Sequence, residues 1–239
     1  MMMPEAFVLA AGNSTRLGGD VPKPLRQLGG VPVLVWNLAM LARAKVPRAV
    51  LNWSAPQDVT ALPEVGRDPC INVVYEAPDA LLGTAGPIAW CFKSAPRRLI
   101  VVYGDQLTQA DLPKMLAQHE GSGLAVTMLV FDGHAGRNSG PVGGWVELDG
   151  LRVAALHETR GAPPPRRTSW ANGGVYIIEP EVVAGLPDGP SDWCRDVFPA
   201  MIARGEVGAF LHDGWVWSID TPEAYARAVL LWEGVSRPW

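Results

Sequence analysis

Short apolar runs recur through the first half of the chain, each closed by Gly, Pro, Ser or Asp nearby. Glu5 to Ala10 (E-A-F-V-L-A), Ala49 to Trp53, Ile71 to Tyr75 and Leu99 to Tyr103 are short and rich in β-branched or other apolar residues. Their length and composition predict buried strands. Between them the apolar positions fall around a helical turn: Val33 to Ala44 behind Pro32, Thr84 to Lys93, and Gln109 to His119. Strand and helix alternate through Val130, which predicts a mostly parallel sheet covered by helices on both faces.

After Val130 the rhythm changes. Trp145 to Leu148 and Leu151 to His157 flank Asp149-Gly150, a two-residue hairpin signal. Val175 to Ile178, Val207 to His212 and Trp215 to Ile219 predict further strands, and Trp193 to Ala203 a helix. Pro222 to Trp232 predicts another helix, with Thr221 as its cap and proline at its first position. The prolines of 162–167 (A-P-P-P-R-R) predict a stiff exposed loop and exclude a central strand there. No internal repeat is visible. The expectation is one α/β domain over 1–239, with a parallel half (1–130) and a mixed, antiparallel-rich half (131–239) that closes over it.

Composition narrows the class. The chain has 239 residues, 48% hydrophobic and 18% charged, which suits a packed globular protein. Its formal net charge is -4, without the basic excess expected of a protein living on nucleic acid or an anionic membrane. Cations gathered in one cleft can still hold a polyanion. Cys70, Cys91 and Cys194 lie far apart with no C-x-x-C pair, which reads as reduced thiols and not as a disulfide framework or zinc site. Met1 to Ala11 lacks the basic start and long apolar region of a signal peptide, and no stretch approaches the roughly 20 apolar residues of a membrane span. These features predict a cytoplasmic protein with no nucleic-acid or membrane partner, and leave a homo-oligomer open. The four histidines show no metal-ligand spacing.

The candidate chemistry sits directly after the first strand, in L-A-A-G-N-S-T-R-L-G-G-D-V-P-K-P-L, Leu9 to Leu25. Small residues at Ala10, Ala11 and Gly12 allow backbone N–H groups to approach a polyanion. Ser14 and Thr15 add hydroxyls, and Arg16 offers a planar fork for phosphate oxygens. Lys23, between Pro22 and Pro24, is a point charge on a stiffened backbone. Neither G-x-x-x-x-G-K-[ST] nor G-x-G-x-x-G is present. Taken alone, the segment reads equally as a Gly-rich surface turn with two ordinary basic residues.

The segment resembles the signature of the nucleoside-triphosphate transferase family, roughly L-A-G-G-x-G-T-R-L, a spacer, then P-K-P-L. Ser14 stands where the family has its second loop glycine, and the spacer before Pro22 is short. The resemblance implies a Rossmann-like three-layer sandwich and transfer of a nucleotide from an NTP to a sugar 1-phosphate. It further implies that Arg16 and Lys23 hold the triphosphate, with Leu9, Ala10, Ala11, Gly12, Asn13, Ser14 and Thr15 lining the nucleotide.

Other motifs follow in the family's order. Gly104-Asp105, just past an apolar strand, resembles the family's Gly-Asp metal motif and implies Mg2+ on Asp105; alone it would read as a turn. Leu82-Gly83-Thr84-Ala85-Gly86 resembles L-G-T-A-G, which implies Gly83 and Thr84 near the base and ribose; Thr84 equally suits a helix cap. Glu76 is a weaker candidate for reading the base edge. Trp217 to Tyr225 resembles W-x-D-I-G-T-P-E-x-Y, with Ser218 at the usual metal position and an aspartate at Asp220. Residues two apart on a strand share a face, so Asp220 can supply the second metal carboxylate or cap the following helix.

On the acceptor side, Glu158 matches F-x-E-K-P, where Thr159 replaces the lysine and Arg160 is a substitute for the sugar-phosphate contact. Asn172-Gly173-Gly174-Val175-Tyr176 resembles N-G-G-V-Y, which implies that Asn172 and Gly173 contact sugar hydroxyls. The stretch 192–199 (D-W-C-R-D-V-F-P) resembles members acting on hexose or heptose 1-phosphates, which points to guanylyl or uridylyl transfer. The departures keep two rivals open: a cytidylyltransferase acting on a non-sugar phosphate, and an inactive nucleotide-binding regulatory domain.

Overall fold

A computed structural model of the protein describes residues 2–12, 21–62, 69–138, 144–158 and 168–232. In chain order its elements are β1 (Glu5–Leu9), β2 (Gln27–Leu28), β3 (Val31–Pro32), α1 (Val33–Arg43), β4 (Arg48–Trp53), β5 (Cys70–Tyr75), α2 (Gly86–Phe92), β6 (Leu99–Tyr103), β7 (Gln106–Thr108), α3 (Leu112–Ser122) and β8 (Val126–Asp132). There follow β9 (Trp145–Asp149), β10 (Arg152–His157), β11 (Trp170–Ile178), α4 (Pro180–Ala184), a π-type turn (Trp193–Val197), α5 (Phe198–Ala203), β12 (Val207–His212), β13 (Val216–Ser218) and α6 (Pro222–Trp232).

Nine strands form one mixed sheet in the order β5-β4-β1-β6-β11-β8-β12-β10-β9. β5, β4, β1 and β6 are mutually parallel, as the alternation predicted. β11 enters antiparallel between β6 and β8, so a strand from the second half of the sequence lies inside the sheet built by the first. The run Val175–Ile178 is apolar throughout and buried on both faces, which is what a central position demands.

Alternation along the strands feeds two cores. Ala6 and Val8 pack with Leu34, Leu38 and Leu41 of α1 and with Leu112 and Met115 of α3. Phe7 and Leu9, pointing the other way, pack with Ile88 and Phe92 of α2, Val183 of α4 and Phe198 of α5. A third cluster joins Leu28, Trp36, Trp217 and Trp232, in which the rings of Trp36 and Trp232 lie 4.4 Å apart. Tyr225 Oη also donates to the Gln27 carbonyl at 2.8 Å, so α6 is fastened onto the β2–β3 hairpin that follows Lys23.

Several boundaries differ from the sequence expectation. Asp149 pairs with Arg152, so the two-residue loop is Gly150-Leu151, one step later than expected. β11 starts five residues before Val175, because Asn172-Gly173-Gly174 lies inside the strand, where its register against β8 shifts. The helix expected over Trp193 to Ala203 is divided. Pro199 has no N–H to give the Arg195 carbonyl, and the chain passes from a π-type turn into α5. No helix among the described residues is long and apolar enough to cross a membrane.

Candidate active site

The turn after β6 brings the first carboxylate to the end of β1. Gly104 N donates to the Leu9 carbonyl at 2.8 Å. A Cβ at Gly104 would stand 2.8 Å from that same oxygen, so only glycine lets the turn lie so close. Asp105 follows at the carboxyl end of β6, where open α/β sheets bind ligands. β7 then pairs antiparallel with β13, with Gln106 opposite Ser218, and Ile219 N donates to the Asp105 carbonyl at 3.3 Å. That small ladder carries Asp220 to Asp105.

Lys23 completes the group. It lies in a single 3-10 turn, Lys23–Leu25, with proline on either side. Its Nζ is 3.5 Å from Asp105 Oδ2 and donates to Asp220 Oδ1. The side chains of Lys23, Asp105 and Asp220 are 11%, 25% and 17% exposed, so the cation is largely enclosed while the carboxylates reach the surface of the cleft. Burial first, and then the charge of Asp220, push the Asp105 carboxyl up to about 7 from 3.8, against the opposing pull of Lys23.

Of the two roles weighed for Asp220, capping belongs to its neighbour. Thr221 Oγ1 accepts from Ala224 N at 3.2 Å at the start of α6. Among the described residues no group of three or more His, Cys, Asp or Glu side chains could hold a metal ion. The donor set at this point is two carboxylates. That fits Mg2+, which takes one or two protein carboxylates and fills its remaining positions with water and phosphate oxygens.

The start of the loop after β1 corrects one expectation. Ala10 N and Ala11 N, expected to face a polyanion, donate to Asn52 Oδ1 at 2.8 and 3.3 Å, and Gly12 N donates to Ser54 Oγ at 3.1 Å. These N–H groups anchor the loop to the end of β4. Asn13, Ser14, Thr15 and Arg16 lie outside the described residues. Glu76 is also re-assigned: Oε1 accepts from Asn52 Nδ2 at 2.6 Å and Oε2 from Leu82 N at 2.7 Å. Both oxygens are held by the protein and not turned outward to read a base.

Gly83 takes φ +80° and forms a parallel bridge with Ser191, whose carbonyl also accepts from Ala85 N at 2.9 Å. Thr84 does not cap α2, which starts at Gly86 behind Ala85 with no side-chain cap. Its hydroxyl donates to Asp192 Oδ2 and accepts from Trp193 N, both at 2.9 Å. The segment before α2 is thereby tied to the π-type turn.

The residues expected on the acceptor side form a neighbouring cluster. Asn172 Oδ1 accepts from Gly174 N at 3.0 Å, and Nδ2 donates to Tyr176 Oη at 2.7 Å and reaches Cys194 Sγ at 3.5 Å. Burial, then the charge of Glu158, push the Cys194 thiol up. Burial likewise raises the hydroxyls of Tyr103 and Tyr176, whose rings meet edge to face at 5.7 Å. A Cβ on Gly174 would meet Gln106 Cδ at 3.0 Å, which sets this wall against the residue following Asp105. Gln106 Oε1 is buried with no partner among the described residues. Gly173 lies on β11 against Leu129, and Thr159 and Arg160 lie outside the described residues.

Sequence reasoning missed Asn52, Ser54 and Gln106, and took Asp192 only as the first residue of the 192–199 stretch. Asn52 did leave a signal: it is the one polar side chain in A-V-L-N-W, at the strand end beside the loop.

A family model described as "MobA-like NTP transferase domain" matches residues 6–184. The mannose-1-phosphate guanyltransferase of Schizosaccharomyces pombe is 25% identical over 236 residues, covering 95% of this chain and 64% of that protein. The mannose-1-phosphate guanylyltransferase catalytic subunit beta of Drosophila pseudoobscura is 24% identical over 235 residues, covering 95% and 62%. The chain thus spans somewhat under two thirds of the length of these relatives. Among solved structures, a Bacillus anthracis protein provisionally named a glucose-1-phosphate thymidylyltransferase superposes with a TM-score of 0.81 at 17% identity, covering 99% and 98% of the two chains. HddC from Yersinia pseudotuberculosis, complexed with GMP-PN, superposes with a TM-score of 0.76 at 24% identity, covering 95% and 99%. At these identities the structural likeness is one of fold.

Proposed function

The chain belongs to the MobA-like NTP transferase family, and from that premise we propose that it transfers a nucleoside monophosphate from an NTP to a sugar 1-phosphate, releasing pyrophosphate. The observation that carries the proposal is the meeting of Lys23, Asp105 and Asp220 at the carboxyl end of β6, beside the loop that leaves β1. A hexose 1-phosphate with GTP is the first pair to test. It agrees with the names of the curated relatives and with the 192–199 motif. The helices on both faces of the mixed sheet support reading 1–239 as one Rossmann-like three-layer domain, with a nucleotide half and an acceptor half.

In this reaction an oxygen of the sugar 1-phosphate attacks the α-phosphorus of the NTP. A new P–O bond forms there, the bond from the α-phosphorus to the α,β-bridging oxygen breaks, and pyrophosphate leaves with the electron pair. The attacking oxygen is already anionic, so no general base is needed. Catalysis is then positioning and charge neutralisation. Lys23 serves as the cation that offsets charge on the departing pyrophosphate, with Arg16 as its partner from the loop. Asp105 and Asp220 would hold Mg2+, which would supply charge neutralisation to the reacting phosphates.

Leu9 to Gly12 launch the loop from the sheet, and Asn13, Ser14 and Thr15 take the phosphates. Gly83, Thr84 and Gly104 shape the nucleotide side, with Thr84 acting through its tie to Asp192. Glu158, Asn172 and Gly173 form the acceptor wall, with Arg160 on its 1-phosphate. The test is pyrophosphate release over a matrix of four NTPs, several hexose and heptose 1-phosphates, and a polyol phosphate. Release with a sugar 1-phosphate carries the proposal. Release with CTP and the polyol phosphate alone replaces the acceptor class, and NTP binding without release on any acceptor refutes the transferase reading.

A further inference from the structure

The start of the phosphate loop and the segment before α2 are tied to one buried pair. Asn52 is 1% and Glu76 7% exposed. Asn52 sits in register with Leu9, where the chain leaves β1, and its Oδ1 accepts from both Ala10 N and Ala11 N. Its Nδ2 donates to Glu76 Oε1, and Glu76 Oε2 accepts from Leu82 N, one residue before the Gly83 bridge. Glu76 is itself fixed where β5 ends, its N–H donating to the Trp53 carbonyl at 2.8 Å.

This chain of bonds has one sense only. Ala10 N and Ala11 N both donate to Asn52 Oδ1 while Glu76 Oε1 accepts from Nδ2, so the Asn52 amide faces one way. Turned over, Asn52 would set its NH2 against two backbone N–H groups and its oxygen against the carboxylate. With the amide fixed, two neighbouring N–H groups of the loop converge on a single oxygen. The loop therefore leaves the sheet in one direction.

We propose that Asn52 and Glu76 are positioning residues that fix the phosphate loop and the base-side segment relative to each other, setting affinity for the nucleotide without touching it. The inference rests on the nucleotidyltransferase reading above, in which 9–12 open the triphosphate loop and 82–86 flank the base and ribose.

A reciprocal exchange tests it. Asn52→Asp sets carboxylate against carboxylate, and Glu76→Gln sets an amide NH2 against an N–H donor. Each single variant is expected to raise KM for the NTP about tenfold or more, the equivalent of one mismatched buried hydrogen bond, while KM for the sugar 1-phosphate holds within about twofold. The double variant N52D/E76Q rebuilds every bond with the charge moved across. Asp at 52 accepts from Ala10 and Ala11, the Gln at 76 donates to it, and the Gln oxygen accepts from Leu82. Its KM for the NTP is expected to return to within about threefold of native, a rescue that general loss of stability does not produce.

Single variants with native KM for the NTP, or a double variant no better than the worse single, overturn the proposal. Should a single variant fail to fold, Glu76→Asp takes its place, keeping charge and acceptors on a shorter arm. The same NTP-selective rise is expected there, and a native KM overturns the proposal. A native chain that releases no pyrophosphate from any pair overturns the transferase reading and this inference together. An active native chain with unaffected variants overturns this inference alone.

Discussion

Asp105 is held in the fold at a cost in stability when ionised, and the size of that cost can be worked out. Burial and the charge of Asp220 raise its carboxyl from 3.8 to about 7 in the folded chain. A raised folded-state value means that the fold favours the protonated acid. The associated stability is fully present below about pH 4 and is lost as pH rises through about 7. Some three units at about 1.4 kcal/mol each set a ceiling of about 4 kcal/mol. A quarter of the side chain sees solvent, so about 2–3 kcal/mol is the working figure. Asp105→Asn removes the charge and keeps the shape. At about pH 8 in EDTA it should unfold about 4–12 °C above the native chain, using the usual 2–4 °C per kcal/mol for a chain of this size. Near pH 4 the two curves should coincide. Calorimetry at both pH values, with the pyrophosphate assay alongside, is the experiment. A gap that is absent at pH 8, or equally large at pH 4, refutes the electrostatic account; full turnover in the variant refutes the assignment of Asp105.

Three further outcomes are expected. Lys23→Ala should lower kcat by about 10²–10³-fold in the pyrophosphate assay, the usual loss for one preorganised charge-stabilising group, while leaving the chain folded by circular dichroism. Gly104→Ala should cost about 1–3 kcal/mol in denaturant unfolding, because its Cβ would press on the Leu9 carbonyl. His119 and His212 are both lowered by burial, so their contribution is present above about pH 6.5 and lost as pH falls, when the unfolded chain takes up protons first. His119→Gln combined with His212→Asn should therefore flatten the fall in melting temperature between about pH 7 and pH 5. An unchanged slope counts against the burial account.

The elements with a strong local signature were legible in the sequence. The boundaries of β6, β12 and α6 coincide with Leu99 to Tyr103, Val207 to His212 and Pro222 to Trp232, because each has a clear apolar run or a cap followed by proline. β7 and the β2–β3 hairpin were not legible: two or three residues cannot establish a period, and both exist through pairing with distant chain. The insertion of β11 between β6 and β8 is a matter of tertiary pairing that no local pattern encodes. For the site, Lys23 and Asp105 were visible as motifs, whereas the strand face expected to carry Asp220 ends at Ser218, and Asp220 meets them from two residues beyond β13. The direction of the N–H groups at Ala10 and Ala11 was not visible. It depends on Asn52, whose role depends in turn on a carboxylate 24 residues further on. Thr84 shows the same limit, since its partner Asp192 is 108 residues away.

The separations within the Lys23–Asp105–Asp220 group bear on how the protein is made. Lys23 is 82 residues from Asp105 and 197 from Asp220. Contacts of such span form late, after the sheets and helices that bring them together. A nascent chain can complete β1, β4, β5 and β6 well before Asp220 leaves the ribosome. On the proposed function, turnover would therefore report finished folding, because the Lys23–Asp105–Asp220 group is incomplete until β13 has paired with β7.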